Sequence, residues 1–185
     1  MHVLAIAGSL RTGSFNAALL RAALGHLPAE ATVTWETGLR DLPHYDQDLD
    51  DAGGHPLVDA FRARCAAADA VLVAAPEYNT GLPSALKNAL DWASRPFGNS
   101  PLKGTAAAVI GTSTGRSGAA RAVEQARFVL LICGARLTDA HLAVPSARPI
   151  FDADPVVLPD DVAGALAGLV GELVTLASEP PATPG

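Results

Sequence analysis

Nearly continuous apolar runs that stop at turn residues alternate along this chain with segments whose apolar side chains recur every three or four positions. HVLAIAG (2–8), DAVLVAAP (69–76) and TAAAVIGT (105–112) are the continuous runs, the pattern of strands buried on both faces of a sheet. TVTWE (32–36) alternates and predicts a weaker strand towards an edge, and ARLTDAHLAV (135–144) predicts a final strand. Between them the helical period returns. Residues 15–27 place Leu19, Ala22, Ala23 and Leu27 on one face, and residues 57–68 form a second helix. Residues 83–93 turn Leu86, Ala89, Leu90 and Ala93 inward, with Pro83 suited to the first turn. Residues 117–133 align Ala122, Val123, Ala126, Val129 and Leu130, and residues 159–177 start on Asp160 and Asp161, which favour a helix amino end. Residues 38–56, rich in Pro, Gly and acids without a period, predict a long loop.

Strand and helix therefore alternate five times, which specifies an α/β three-layer sandwich: a five-stranded parallel sheet with helices on both faces. Five strands fit the flavodoxin-like order 2-1-3-4-5, whose ligand site lies at the carboxyl ends of the strands. A chain of 185 residues is most simply one domain, placed here at 1–178, with 179–185 expected to be a disordered tail.

Charge and composition narrow the function classes. A net charge of −6 argues against general nucleic-acid binding, which needs a basic surface. The apolar stretches read as too short to span a bilayer, and MHVLAIAG is too short for a signal-peptide core, so no membrane partner and a cytoplasmic location are expected. Cys65 and Cys133 belong to no metal or redox spacing and read as small buried residues on helices. His2, His26, His44, His55 and His141 show no ligand spacing, so no metal site is expected.

If the sheet is parallel, the loops after the strands open on one edge, and three of these are unusual. GSLRTGSFN (8–16), PEYNTGLP (76–83) and GTSTGRSG (111–118) combine glycine with hydroxyl or amide side chains, and two carry arginine. Gly8 and Gly13 have the four-residue gap of a triphosphate-binding loop, but Ser14 and Phe15 stand where Lys and Ser/Thr belong. The dinucleotide spacing GxGxxG is also missing. What remains is a seat for one phosphate, made by Ser9, Thr12, Ser14, Arg11 and the free amides of the following helix. The second loop adds an aromatic wall at Tyr78, an amide at Asn79 and a close backbone approach at Gly81. Thr112, Ser113, Thr114 and Gly115 close the other side. A mononucleotide with a large planar head suits this cleft; FMN fits, as other mononucleotides do.

GSLRTGSFN followed by PEYNTGLPSALKNALDWASR (76–95) resembles the NADPH-dependent FMN reductase family, which includes related quinone, azo-dye and chromate reductases. The resemblance runs from the first strand through the third loop and its helix. It implies a flavodoxin-like domain holding FMN non-covalently. Ser9, Arg11, Ser14, Phe15 and Asn16 match the family's phosphate loop. Pro76, Glu77, Tyr78, Asn79 and Gly81 match its isoalloxazine loop, and Ser113, Thr114, Gly115 and Gly118 lie in the third flavin-contacting loop. Members often carry Gly-Gly where this chain reads Gly118-Ala119, which leaves the backbone path there, and the contacts of Arg116 and Arg121, open. LPHYDQD (42–48) resembles the segment at the active-site rim.

The resemblance also implies a homodimer or homotetramer with the flavin near a subunit boundary. Trp92, away from the Leu86/Leu90 stripe, is a candidate for a side chain that a partner covers. It implies a ping-pong exchange: hydride from NADPH (or NADH) to the flavin, then two electrons to a small-molecule acceptor such as a quinone, flavin, azo compound or metal oxyanion. The cofactor carries that chemistry, so no catalytic side chain is expected. Arg11 and Arg116 are candidates to receive NADPH phosphates, Glu77 is expected to brace its loop, and Lys87, Asn88 and Asp91 to form only local helix pairs. Two alternatives stay open at this point: an FMN-binding electron carrier or storage protein without nicotinamide turnover, and a binder or transferase of another mononucleotide.

Overall fold

The structure, a computed structural model, describes residues 1–180; the remainder of the expected tail, 181–185, lies outside the described residues. Strands β1 (His2–Ala7), β2 (Thr32–Glu36), β3 (Ala70–Ala74), β4 (Ala106–Thr112) and β5 (Arg136–Leu137) form a parallel sheet in the order β2-β1-β3-β4-β5. The register runs Val3↔Ala70 and Ala70↔Ala106 through the centre, so the expected order holds.

The expected last strand does not hold as one piece. It is β5 and a separate β6 (Leu142–Val144), each parallel to β4. Five steps from Leu137 to Leu142 face only three from Ala107 to Ile110, so two residues are extruded. Their amides leave the ladder: Asp139 and Ala140 both donate to the carboxylate of Glu172, the latter at 3.0 Å. Alternation in ARLTDAHLAV shows no sign of that break, because it depends on a carboxylate some thirty residues later in the chain.

Helices α1 (Phe15–Leu24) and α7 (Asp160–Ser178) cover one face; α3 (Pro56–Ala66), α4 (Ser84–Ala93) and α5 (Ala120–Ile132) cover the other. Alternate strand residues divide accordingly. Leu4, Ile6, Val71, Val73, Ala107 and Val109 face α3–α5, while Val3, Ala5, Leu72, Ala74, Ala108 and Ile110 face α1 and α7. Among the described residues α7 is the one helix long and apolar enough to cross a membrane by length and composition. Here Leu166, Leu169, Val170 and Leu173 pack it against the sheet.

Two helices were not expected. Within the long loop lie a 3₁₀ turn (Gly38–Arg40) and α2 (Gln47–Asp51), the latter capped by Asp46, whose carboxylate accepts from the Asp48 amide at 2.9 Å. After β6 comes α6 (Ala147–Phe151). Elements of three to five residues are too short to show a period. Helix ends also move. α1 stops at Leu24, before Gly25, and α5 begins three residues later than expected because Gly118 (φ +60°) and Ala119 (φ +76°) are left-handed.

Trp92 is a correction: it is fully buried by its own chain. Its indole Nε1 donates to the Pro43 carbonyl at 2.8 Å, and its ring meets Tyr45 edge-on at 4.9 Å. Asn88 departs from a purely local role as well. Its amide donates to Pro43 O (2.9 Å) and accepts from Tyr45 N (2.7 Å). The 38–51 segment is thus a flap laid over α4, and it covers Trp92 from within the chain.

The far end of this flap is held by charge. Asp50 receives Arg62 at 2.8 Å and Arg95 at 3.2 Å, and Arg62 also donates to Trp92 O at 3.0 Å and lies 5.4 Å over its ring. Burial alone would raise the Asp50 carboxyl, but hydrogen bonds and charge from Arg62 and Arg95 outweigh it and hold it below the ordinary 3.8. A carboxylate lowered in the folded state stabilises above its unfolded value and loses that contribution as pH falls through the folded one. Asp50→Asn should therefore cost about 2 kcal/mol near neutrality. Its denaturant midpoint should also fall less than that of the unaltered protein as pH is taken below 3.8. Parallel midpoint-against-pH curves would contradict this.

Candidate functional site

The cleft lies at the carboxyl edge of the sheet, where β1, β3 and β4 end in loops 8–14, 75–83 and 113–119. Close packing of strand ends sets the path of the first loop. The Gly8 amide donates to Ala74 O at 2.9 Å, and a Cβ on Gly8 would lie 2.7 Å from Leu86 Cδ2 and 3.0 Å from Pro76 Cδ. Ser14 then caps α1, its hydroxyl accepting from Ala17 N at 3.2 Å. Arg11 is exposed, with its guanidinium carbon 5.0 Å over the Phe15 ring, and Phe15 stacks on Phe151 of α6 at 6.1 Å. Asn16 is buried and pairs with the end of β4: its amide donates to Thr112 O (2.9 Å) and accepts from Thr112 N (3.0 Å).

The second loop is a tight hairpin. Tyr78 and Gly81 exchange both backbone hydrogen bonds (3.0 and 3.1 Å), with Asn79 at φ +49° and Thr80 at φ +69° between them. Positive φ at both central residues is what a type I′ turn demands; Asn tolerates it, whereas β-branched Thr80 is strained there. Two contacts brace this hairpin against α5. Glu77 accepts from the Arg121 amide at 3.0 Å, where the helix amino end favours a carboxylate, and Gln125 accepts from Leu82 N at 2.8 Å. Glu77 thus braces its loop, as expected. Tyr78 reaches across to loop one, with its hydroxyl 3.3 Å from Ser9 Oγ, and its side chain remains half exposed.

The third loop is tied to the chain after β6. Ser113 N donates to Val144 O (3.3 Å), Ala147 N to Ser113 O (3.0 Å), and Ser146 N to Gly115 O (3.3 Å). Gly118 is required, since a Cβ there would lie 2.7 Å from the backbone of Val144 and Pro145. Ala119 follows it in the left-handed region, fully buried, so the backbone takes a glycine-like path although the chain reads Gly-Ala. Arg116 and Arg121 are exposed.

Together the loops enclose a cleft of about 450 Å³. Ser9, Arg11, Ser14, Phe15, Asn16, Pro76, Glu77, Tyr78, Thr112, Ser113 and Thr114 line it. Thr12, Asn79, Gly81, Gly115 and Gly118 do not; Asn79 and Gly81 shape the hairpin, and Gly118 is buried behind the wall. Sequence reasoning missed Arg148 and Asp152, which enter the cleft from α6 as an exposed pair at 3.6 Å. Their one-turn spacing was a faint signal, and it is the Phe15–Phe151 stack and the bond from Ala147 N to Ser113 O that bring that helix to the cleft.

The donor set suits a phosphate: hydroxyls of Ser9 and Ser14, guanidinium groups of Arg11 and Arg148, and a helix amino end, with no lysine. Phe15 and Tyr78 offer flat surfaces to the rest of a ligand. Both thiols lie elsewhere, where burial pushes Cys65 up to about 12 and Cys133 up to about 11. Among the described residues no cluster of His, Cys, Asp and Glu forms a metal site.

Comparisons with known proteins show the family and the fold. The family profile of NADPH-dependent FMN reductases matches residues 1–149. An NAD(P)H-dependent FMN reductase of Pseudomonas aeruginosa is 41% identical over 161 residues, 86% of either chain. A quinone reductase of Escherichia coli K12 is 36% identical over 136 residues, 73% of this chain and 72% of that one. Among solved structures, a flavoenzyme NAD(P)H:(acceptor) oxidoreductase from Paracoccus denitrificans superposes with a TM-score of 0.83 at 34% identity, covering 95% of this chain and 96% of its own.

The strain in the cleft walls is measurable. Thr80→Gly should raise unfolding stability by roughly 0.5–1 kcal/mol, the relief of a left-handed residue less the added freedom of the unfolded glycine. Gly118→Ala should lower it by about 2 kcal/mol or more, because its methyl meets backbone that cannot yield. Equal stability of these two variants in urea titration would contradict the assignment.

Proposed function

The chain belongs to the NADPH-dependent FMN reductase family, and is an oxidoreductase of FMN and NAD(P)H; from that premise we propose that it passes two electrons by hydride transfer from NAD(P)H through FMN to a small acceptor. The observation that carries this reading is the convergence of the lysine-free phosphate loop and the Tyr78 hairpin on one cleft of about 450 Å³. Quinone reductases among the relatives make a quinone the acceptor to test first, ahead of free flavin, azo compounds and metal oxyanions.

The residues fit an FMN seat. Ser9, Arg11, Ser14 and the start of α1 hold the phosphate, and Arg148 adds a second guanidinium from α6. Phe15 backs Arg11, while Asn16 spends its amide on Thr112 and so keeps the first loop at a set distance from the third. Pro76, Glu77 and Tyr78 form one wall for the flavin ring, with Glu77 as brace and with Asn79 and Gly81 shaping the hairpin behind Tyr78. Ser113, Thr114 and Gly115 form the facing loop, with Gly118 setting its path. Bound FMN supplies the two-electron chemistry. The chain's part is to orient the ring, leave one face open and present backbone donors.

The protein is proposed to act as a homodimer or homotetramer. With Trp92 buried, three apolar side chains left open together on one helix are Phe128, Leu131 and Ile132 of α5, each more than half exposed. They lie one helical turn apart and form one stripe. Leu131→Glu should lower the mass measured by light scattering to that of a single chain; an unchanged mass would place the contact elsewhere.

NADPH added anaerobically to the FMN-loaded protein should bleach the visible flavin band, and benzoquinone should restore it. Colour that never bleaches would overturn nicotinamide turnover. Arg11→Ala and Arg148→Ala should each weaken FMN about tenfold and leave riboflavin, which lacks the phosphate, unchanged in fluorescence titrations. Equal losses for both flavins would mean that the phosphate is held elsewhere.

A further inference from the structure

A second cavity of about 200 Å³ lies on the other side of loop one, walled by Leu10, Leu42, Arg40, His44, Ser84 and Asn88. It adjoins the cleft directly. Consecutive residues Ser9 and Leu10 face the two spaces, and the hairpin that bounds the cleft runs on into Ser84. A third cavity, lined by Asp69, Lys103, Thr105 and Arg136, sits where β3 and β4 begin, at the opposite edge of the sheet.

The second cavity is cationic in a chain of net charge −6. Among the described residues no carboxylate lines it, and Arg40 is in no ion pair, although Arg62, Arg64, Lys87, Arg95 and Arg148 all are. Arg40 is nonetheless held in place, since its Nη2 donates to Leu10 O at 3.0 Å. His44 is held from both sides: Pro43 O receives Asn88 and Trp92 at 2.9 and 2.8 Å, and Tyr45 N is bonded to Asn88 at 2.7 Å. Three groups able to donate to an anion (a guanidinium, an imidazole and the Ser84 hydroxyl) thus face one small space, the guanidinium held by its own bond to Leu10 O and the imidazole carried on backbone pinned at both neighbours. Such a constellation recognises a phosphate monoester.

We propose that this cavity receives the 2′-phosphate of NADPH, and that Arg40 and His44 set the preference for NADPH over NADH. The proposal rests on the cleft being the FMN seat. With FMN there, a nicotinamide stacked on its open face must lead the rest of the dinucleotide over the rim. Across loop one, the adjoining space is this one, whereas the third cavity lies at the wrong edge.

Calorimetric titration of the FMN-loaded protein with adenosine 2′,5′-bisphosphate and with 5′-AMP tests the subsite without turnover. The bisphosphate should bind about tenfold more tightly, and Arg40→Ala should erase that difference while Arg40→Lys keeps part of it. In steady state, Arg40→Ala should raise the ratio of KM for NADPH to KM for NADH about tenfold. Equal affinity for the two nucleotides in the unaltered protein, or an Arg40→Ala variant that retains the difference, would overturn the proposal. Inorganic phosphate competing as well as the bisphosphate would also overturn it, by reducing the cavity to a general anion seat. Failure of the proposed function would appear separately, as a flavin band that neither nicotinamide bleaches.

Discussion

Asn16 sits in the first turn of α1 and bonds through its amide to both backbone groups of Thr112, at the end of a strand two places away in the sheet. Because the pairing is buried and uses donor and acceptor together, the first and third loops keep one separation. Everything else at the carboxyl edge is arranged around that span. Gly8 lets the first loop pass within bonding distance of Ala74, and Gly111 does the same at β4, where a Cβ would lie 2.7 Å from Ala75 O. The walls of the cleft are therefore set by close approach of backbone that a side chain would prevent.

The second loop is organised differently. Its hairpin turns on two left-handed residues, one of them the β-branched Thr80, and it is steadied from outside by Glu77 and Gln125 against α5. Strain of this kind persists only where surrounding contacts over-determine the backbone. On the far side of α4 the 38–51 flap supplies such contacts for the rim: Asn88 and Trp92 hold Pro43 and Tyr45, and the Asp50–Arg62–Arg95 cluster anchors the end of the flap. The rim residues Arg40 and His44 thus stand on a platform set by helix packing.

Much of the architecture was legible because it follows from period and punctuation. The apolar runs of β1, β3 and β4 could only be buried parallel strands, and the order of elements led to β2-β1-β3-β4-β5. Ten of the expected site residues line the cleft, since three short loops after parallel strands must open on one edge. The misses share a cause. The break between β5 and β6 is made by Glu172, the burial of Trp92 by the flap, and the presence of Arg148 and Asp152 by the Phe15–Phe151 stack and the Ala147–Ser113 bond. Each is a contact between residues far apart in the chain, and each involves a segment too short or too irregular to carry a period.

By itself the sequence determined the order of the parallel strands and which three loops share one edge, because local pattern suffices for these. The tertiary structure alone decided three further things. Asn16 serves as a clamp between loops. Trp92 closes the chain's own surface. Arg40 and His44, on an aperiodic segment, meet Ser84 in a second cationic cavity. A side chain's residue type states which bonds it can make, but the packing of distant segments chooses its partner, and at this cleft the partner sets the role.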